Sequence, residues 1–185
     1  MEGSCQVHDE ESLIRRAKQR DQVALTQLYE ENFDKIYRYI VLKIGDRTEA
    51  EDMTQQVFLN AIQSISSYNW KGMPFSSWLY RIAHNQVVDH LRKKSRRILV
   101  PLDESLPAAD DPKQAAEQKI EIEEIVAATR DLTKAQQEVI SLRFGGELSV
   151  AEVARAMGRS EGAVKALQHS AILALRKALG KGGVA

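Results

Sequence analysis

Nineteen residues, ILVPLDESLPAADDPKQAA (98–116), limit what this chain can fold into more than any other stretch. They hold three of the four prolines, and four acids against Lys113. Each proline biases its predecessor away from the α region, so no helix is expected to cross the segment. On both sides apolar residues recur at helical spacing, and strand-like alternation with turn dipeptides is absent. A structureless loop of this length within one domain is uncommon. The pattern predicts an all-α chain of two small helical domains, residues 10–97 and 117–181, joined by a flexible linker at 98–116. A length of 185 residues allows each domain a modest core.

Before the linker, helical periodicity runs from Leu13 and Ala17 through Ala24, Leu25 and Leu28 to Phe33, Ile36, Tyr37, Ile40, Val41 and Ile44. Asp21 and Asn32 stand where breaks or caps fit. Further helices are expected at about 48–64 and 76–94. After the linker, Thr133 with Gln136, and Ser149 with Glu152, have capping-box spacing. Ser160 offers a third N-cap. From Ser149 onward the spacing is that of a helix-turn-helix. Ala154 lets two helices approach, Gly158 suits the turn, and Val164 packs the second helix on the first, with Val153, Met157 and Leu167 completing a small core.

No apolar run approaches the ~20 residues of a membrane span. The N-terminus lacks the basic and apolar regions of a secretory signal, so a cytoplasmic protein is expected. Cys5 is the only cysteine, which excludes an internal disulfide. Cys5 and His8 have ligand-like spacing, but zinc takes about four ligands and no second pair stands nearby. No metal site is expected, and these residues read as a disordered tail. Net charge is zero, yet residues 81–97 carry six basic groups against Asp89. Residues 98–124 sum to −6 and residues 159–185 to +4. Two basic segments divided by an acidic one fit two nucleic-acid contacts joined by a linker.

The helix at 76–94 has an inward stripe of Leu79, Ile82, Ala83, Val87 and Leu91. Arg81, Asn85, Asp89 and Arg92 lie on the opposite stripe, where they can hydrogen-bond base edges and phosphates. Lys93, Lys94, Arg96 and Arg97 extend the positive rail. The preceding SSYNWKGMPF carries Tyr68, Asn69, Trp70 and Phe75, and aromatic rings beside a basic helix are what unpaired bases stack on. Trp78 reads equally as core packing. In the helix-turn-helix, Arg159, Ser160, Lys165, Gln168 and His169 are placed to face DNA, although a plain helical hairpin shares most of the pattern. In AEDMTQQVFLNAI (50–62), Ala50, Met53, Val57 and Ala61, with Ile65, form a buried stripe. Asp52, Gln55, Gln56, Leu59 and Gln63 stay outside, as a polar protein interface or a solvated face.

In order, D-x-x-Q-x-x-F (Asp52, Gln55, Phe58), F-x-x-W-L-x-x-I-A-x-N-x-x-x-D-x-x-R (Phe75 to Arg92), a Pro-rich linker and a C-terminal helix-turn-helix resemble the extracytoplasmic-function group of bacterial sigma factors. The likeness covers about residues 20–180. It implies a first domain that grips core RNA polymerase and opens the minus-ten element, and a second that reads the minus-thirty-five element. It places Asp52, Gln55, Gln56, Phe58 and Leu59 at the polymerase, with Gln56 where the family usually has an acid. It places Tyr68, Asn69, Trp70, Arg81, Asn85, Asp89, Arg92, Lys93 and Lys94 at the minus-ten element. Arg159, Ser160, Lys165, Ala166, Gln168, His169 and Ser170 fall at the minus-thirty-five element. The family more often has Ser at 166 and Arg at 167, 170 and 172, so Ala166, Leu167, Ser170 and Ile172 imply a weaker grip on phosphates.

The implied partners are core RNA polymerase, promoter DNA and an anti-sigma factor, with no small-molecule substrate and a monomer when free. No catalytic residue, cofactor or metal is expected. The other readings are a stand-alone helix-turn-helix regulator, whose first domain would need a ligand pocket or dimer surface, and an enzyme such as a nuclease, which would need a clustered Asp/Glu/His constellation that the sequence lacks.

Overall fold

The computed structural model describes residues 3–69, 74–97 and 126–181, so Trp70 and the expected linker lie outside the described residues. The described chain is helical and contains no strand. Four helices form the N-terminal half: α1 Gly3–Lys18, α2 Gln22–Ile44, α3 Arg47–Ser64 and α4 Phe75–Arg97. After helical residues 126–129 come α5 Lys134–Ile140, a π turn Ser141–Gly145, α6 Val150–Met157 and α7 Glu161–Lys181.

Local chemistry accounts for the boundaries. The Asp21 carboxylate accepts from the backbone N–H groups of Val23 (3.0 Å) and Ala24 (3.2 Å), which starts α2. Asn32 is not a break. It is buried inside α2 and its amide donates to the Leu28 carbonyl at 2.9 Å, so the polar group is satisfied without interrupting the helix. Cys5 and His8 lie within α1 and not in a tail. Both expected capping boxes form, at Thr133 with Gln136 and at Ser149 with Glu152. Ser160 accepts from the Ala163 N–H at 3.2 Å. Gly158 closes α6 at φ 62, a left-handed conformation that favours glycine.

The core draws Ile36, Tyr39 and Ile40 from α2, Val57 from α3, and Leu79 and Val87 from α4, all fully buried. It continues without a gap into Val139, Leu142, Leu148, Val153 and Val164 of the C-terminal half. The two halves are therefore docked face to face. A smaller cluster of Leu132, Ile140 and Ala171 belongs to the C-terminal half alone. Leu91, expected to face inward, is 39 % exposed, because the last turns of α4 run past the core.

Candidate nucleic-acid interface

Helix α4 is fixed at both ends. Glu10 of α1 accepts from the Phe75 N–H at 2.8 Å, satisfying a first-turn donor. Burial pushes the Glu10 carboxyl up, against that hydrogen bond. At the other end, Lys94 Nζ donates to Glu49 Oε2 of α3 at 3.1 Å. Between these anchors Leu79, Ala83 and Val87 are wholly buried, so the opposite face is held in a fixed orientation. Arg81, Asn85, Asp89 and Arg92 are all exposed on that face. Their one mutual tie is Asp89 Oδ1 to Arg92 Nη1 at 3.7 Å. Lys93 is exposed beside them, whereas Lys94 is drawn back toward α3.

Of the aromatic residues leading into α4, Tyr68 and Phe75 are buried. Tyr68 is 5 % and Phe75 is 3 % exposed, and with half-buried Trp78 they form a cluster with centroids 5.0–5.6 Å apart. Burial raises the Tyr68 phenol above its ordinary range. In this arrangement the Tyr68 ring packs on Phe75 and Trp78 and anchors the start of α4. Asn69 is exposed beside it.

On α3, Asp52, Gln55, Gln56 and Leu59 are exposed, Leu59 by 53 %. Phe58, placed with them by sequence, is 4 % exposed and meets Tyr29 edge-on at 4.8 Å, so it supports this face from beneath. On α7 and the turn before it, Arg159, Ser160, Lys165, Ala166 and His169 are exposed. The Ser160 hydroxyl is taken up by capping. Gln168 accepts from Arg143 Nε at 3.2 Å, and Ser170 Oγ accepts from Gln136 Nε2 at 3.0 Å. Gln168 and Ser170 thus brace α7 on α5 and its π turn. Arg143 also donates to the Leu148 carbonyl.

Sequence reasoning missed a polar cluster between the halves. Glu138 of α5 receives Lys43 Nζ at 2.6 Å and the Tyr39 hydroxyl at 3.1 Å, and His84 Nδ1 lies 3.2 Å away. Burial alone would raise the Glu138 carboxyl. The His84 hydrogen bond and the Lys43 charge outweigh it and hold the group at about 2. The same hydrogen bond raises His84. Burial, then the Glu138 charge, pushes the Tyr39 phenol up. These partners lie 54 to 99 residues from Glu138 in sequence, and no short motif joins them.

The chain matches Sigma-70 region 2 over residues 28–97 and Sigma-70 region 4 over residues 130–177. It is 37 % identical over 170 residues to the ECF RNA polymerase sigma factor BldN of Streptomyces coelicolor, an alignment covering 90 % of this chain and 64 % of that protein. It is 31 % identical over 157 residues to the ECF RNA polymerase sigma factor SigX of Bacillus subtilis, covering 81 % of this chain and 80 % of that one. It belongs to the ECF RNA polymerase sigma factors. Members of this family are transcription initiation factors. The fold is shared with CnrH, solved in complex with the cytosolic domain of CnrY (TM-score 0.71, 22 % identity, covering 95 % of this chain and 99 % of that one). It is also shared with RpoE of Bartonella quintana, solved with the anti-sigma factor NepR (TM-score 0.67, 22 % identity, covering 84 % and 96 %). Among the described residues no helix is long and apolar enough to cross a membrane.

Proposed function

We propose that this sigma factor binds core RNA polymerase through the exposed face of α3 and directs it to promoters read at two places. Asp52, Gln55, Gln56 and Leu59 meet the polymerase, with Phe58 holding their helix in position. Arg81, Asn85, Asp89 and Arg92, with Asn69 and Lys93 alongside, engage the minus-ten element and capture bases as they unpair. Arg159, Lys165, Ala166 and His169 read the minus-thirty-five element in the major groove. Residues 10–97 and 117–181 act as the two DNA-reading domains and 98–116 as the tether between them. The chain carries no catalytic step itself; phosphodiester chemistry belongs to the polymerase, and the protein works in the cytoplasm where polymerase and DNA are. An anti-sigma factor that holds the free monomer is part of the same reading, supported by the RpoE–NepR complex of the same fold.

The observation that carries this reading is that each matched region contains a basic helix, α4 or α7, whose charged face points outward while its other face is anchored in the core. Run-off transcription with core polymerase on the chain's own upstream region tests it. A discrete transcript that appears only when this chain is added is expected. Equal transcription without it would overturn the reading.

A further inference from the structure

Helices α3, α5 and α6 each carry Glu or Gln at the third residue after the N-cap. Gln136 and Glu152 use that side chain to close capping boxes with Thr133 and Ser149. Glu49 stands at the same place in α3, and its N–H donates to the Asp46 carboxylate at 2.8 Å. Its own carboxylate does not return to the Asp46 N–H. It turns instead to the end of α4, where Glu49 Oε2 receives Lys94 Nζ at 3.1 Å and lies 3.3 Å from His90 Nε2. The His90 contact lacks hydrogen-bond alignment, and that buried nitrogen finds no other acceptor among the described residues. One carboxylate oxygen therefore stands between two nitrogen groups of α4, the place a phosphate oxygen would take.

The tie does little for the fold. The Lys94 and Glu49 side chains are 49 % and 40 % exposed, and ion pairs this open contribute little to stability. Its effect falls on the surface charge instead. Lys93 and Arg96 stand exposed on the same end of α4, with no ion pair among the described residues. Cations in such a row grip duplex phosphates of any sequence. A cation that already holds a carboxylate must give it up first.

We propose that Glu49 is a positioning residue that withholds Lys94 from DNA phosphates, its carboxylate standing in for the phosphate until the rest of α4 has docked. This role rests on the promoter-reading proposal above. Once Arg81, Asn85 and Arg92 hold a strand, a phosphate near the end of the same helix is presented at high effective concentration and displaces Glu49. A duplex of unrelated sequence, met without those contacts, presents no such excess. Glu49 thereby lowers the sequence-independent part of binding, and specificity is a difference of affinities.

Fluorescence-anisotropy titration of the free full-length chain with a duplex unrelated to its own upstream region tests this, between ~50 and ~200 mM salt. Glu49→Gln keeps the shape of the side chain and removes its charge. It should bind roughly threefold to tenfold tighter at the low-salt end, with a salt slope steeper by ~1, as for one added phosphate contact. Adding Lys94→Ala should return affinity and slope to wild type. Glu51→Gln makes the same charge change at an exposed residue of α3 that has no ion pair among the described residues, and should leave the slope unchanged. Equal slopes in wild type and Glu49→Gln would overturn the proposal, as would a gain that persists when Lys94→Ala is added. Lys93→Ala should weaken the same binding. If it binds as wild type does, the reading of α4 fails and the role of Glu49 with it. If it weakens while Glu49→Gln changes nothing, the hold on Lys94 alone is refuted.

Discussion

The two halves of the molecule hold themselves together differently. Helices α1 to α4 enclose a core of their own, with Ile36, Tyr39, Val57, Leu79 and Val87 fully buried. Among the described residues, the C-terminal half keeps Leu132, Ile140 and Ala171 as a separate buried cluster and lends Val139, Leu142, Leu148 and Val153 to the core shared with α2 and α4. The boundary between them mixes apolar burial with ion pairs and hydroxyl hydrogen bonds. Beside it lies an apolar groove of about 390 Å³, open to solvent and lined by Val41, Leu42, Ile140, Phe144, Ile172 and Leu175. A boundary that carries ion pairs loses less on opening than a wholly apolar one, since its charged groups find water when exposed. A dry, filled core has no such compensation.

The strongest way to break that contrast is to cut into each core in turn. Leu79→Ala removes a fully buried side chain from the self-sufficient half and should cost about 2–5 kcal/mol in urea unfolding. Because α2 and α4 form the docking floor, the C-terminal half should lose protection with it. Ile140→Ala should loosen α5 to α7 and leave amide protection in α1 to α3 at wild-type level. Equal loss of protection in both halves from Ile140→Ala would mean that the chain is one cooperative unit.

Helix α7, proposed to read the minus-thirty-five element, gives the next effect. His169 is exposed, and Lys165 lies one turn before it on α7. A side chain that reads a base edge is worth ~1–3 kcal/mol of discrimination, while a phosphate contact weakens all sequences alike. His169→Ala should change the preferred base at one upstream position in a randomised-promoter selection. Lys165→Ala should lower binding without changing preference. Unchanged preference in His169→Ala would reduce His169 to a spacer.

Most of the helices were legible in the sequence because their signals are local. Capping boxes act over three residues, and the stripe of Arg81, Asn85, Asp89 and Arg92 repeats once per turn, so both are visible in a short window. Asn32 and Leu91 misled for opposite reasons. A polar residue inside a helix can be satisfied by the carbonyl four residues back, and an apolar residue past the end of a core has nothing to pack on. Tyr68 and Phe58 look like surface aromatics until rings from other helices close over them. The Glu138 cluster was out of reach, since its partners stand 54 to 99 residues away on α2 and α4.

On α4, division of labour along the helix gives a smaller effect. Asn85 stands mid-stripe, and Lys93 stands free at the end where Lys94 is tied to Glu49. Asn85→Ala should impair promoter opening more than initial binding, and a premelted bubble should rescue it. Lys93→Ala should weaken binding on both templates and reduce the salt slope by ~1. Lys94→Ala should do less than Lys93→Ala. Rescue of both Asn85→Ala and Lys93→Ala by the bubble, or of neither, would refute the division.

The subtlest effect is the pH dependence of docking. Glu138 faces Tyr39 and Lys43 from α2 and His84 from α4; Tyr80 and Arg81 of α4 and Glu152 and Arg155 of α6 complete the charged and titratable surroundings. Its carboxyl is held at about 2 against an ordinary 4.5, so its contribution is fully present above 4.5 and lost only as pH falls toward 2. His84 is shifted the other way, up from 6.5. Its contribution is complete below 6.5 and disappears as pH rises through the raised value. Docking is therefore strongest between about 4.5 and 6.5, where Glu138 is ionised and His84 protonated. The His84 ring is half exposed, so solvent screens the effect and keeps it small. Scattering from the free chain should show a modest rise in radius of gyration between pH ~5.5 and pH ~8.5, around the ordinary histidine range. His84→Ala should remove the rise while keeping Lys43 on Glu138. An unchanged rise in that variant would assign the titration to another group.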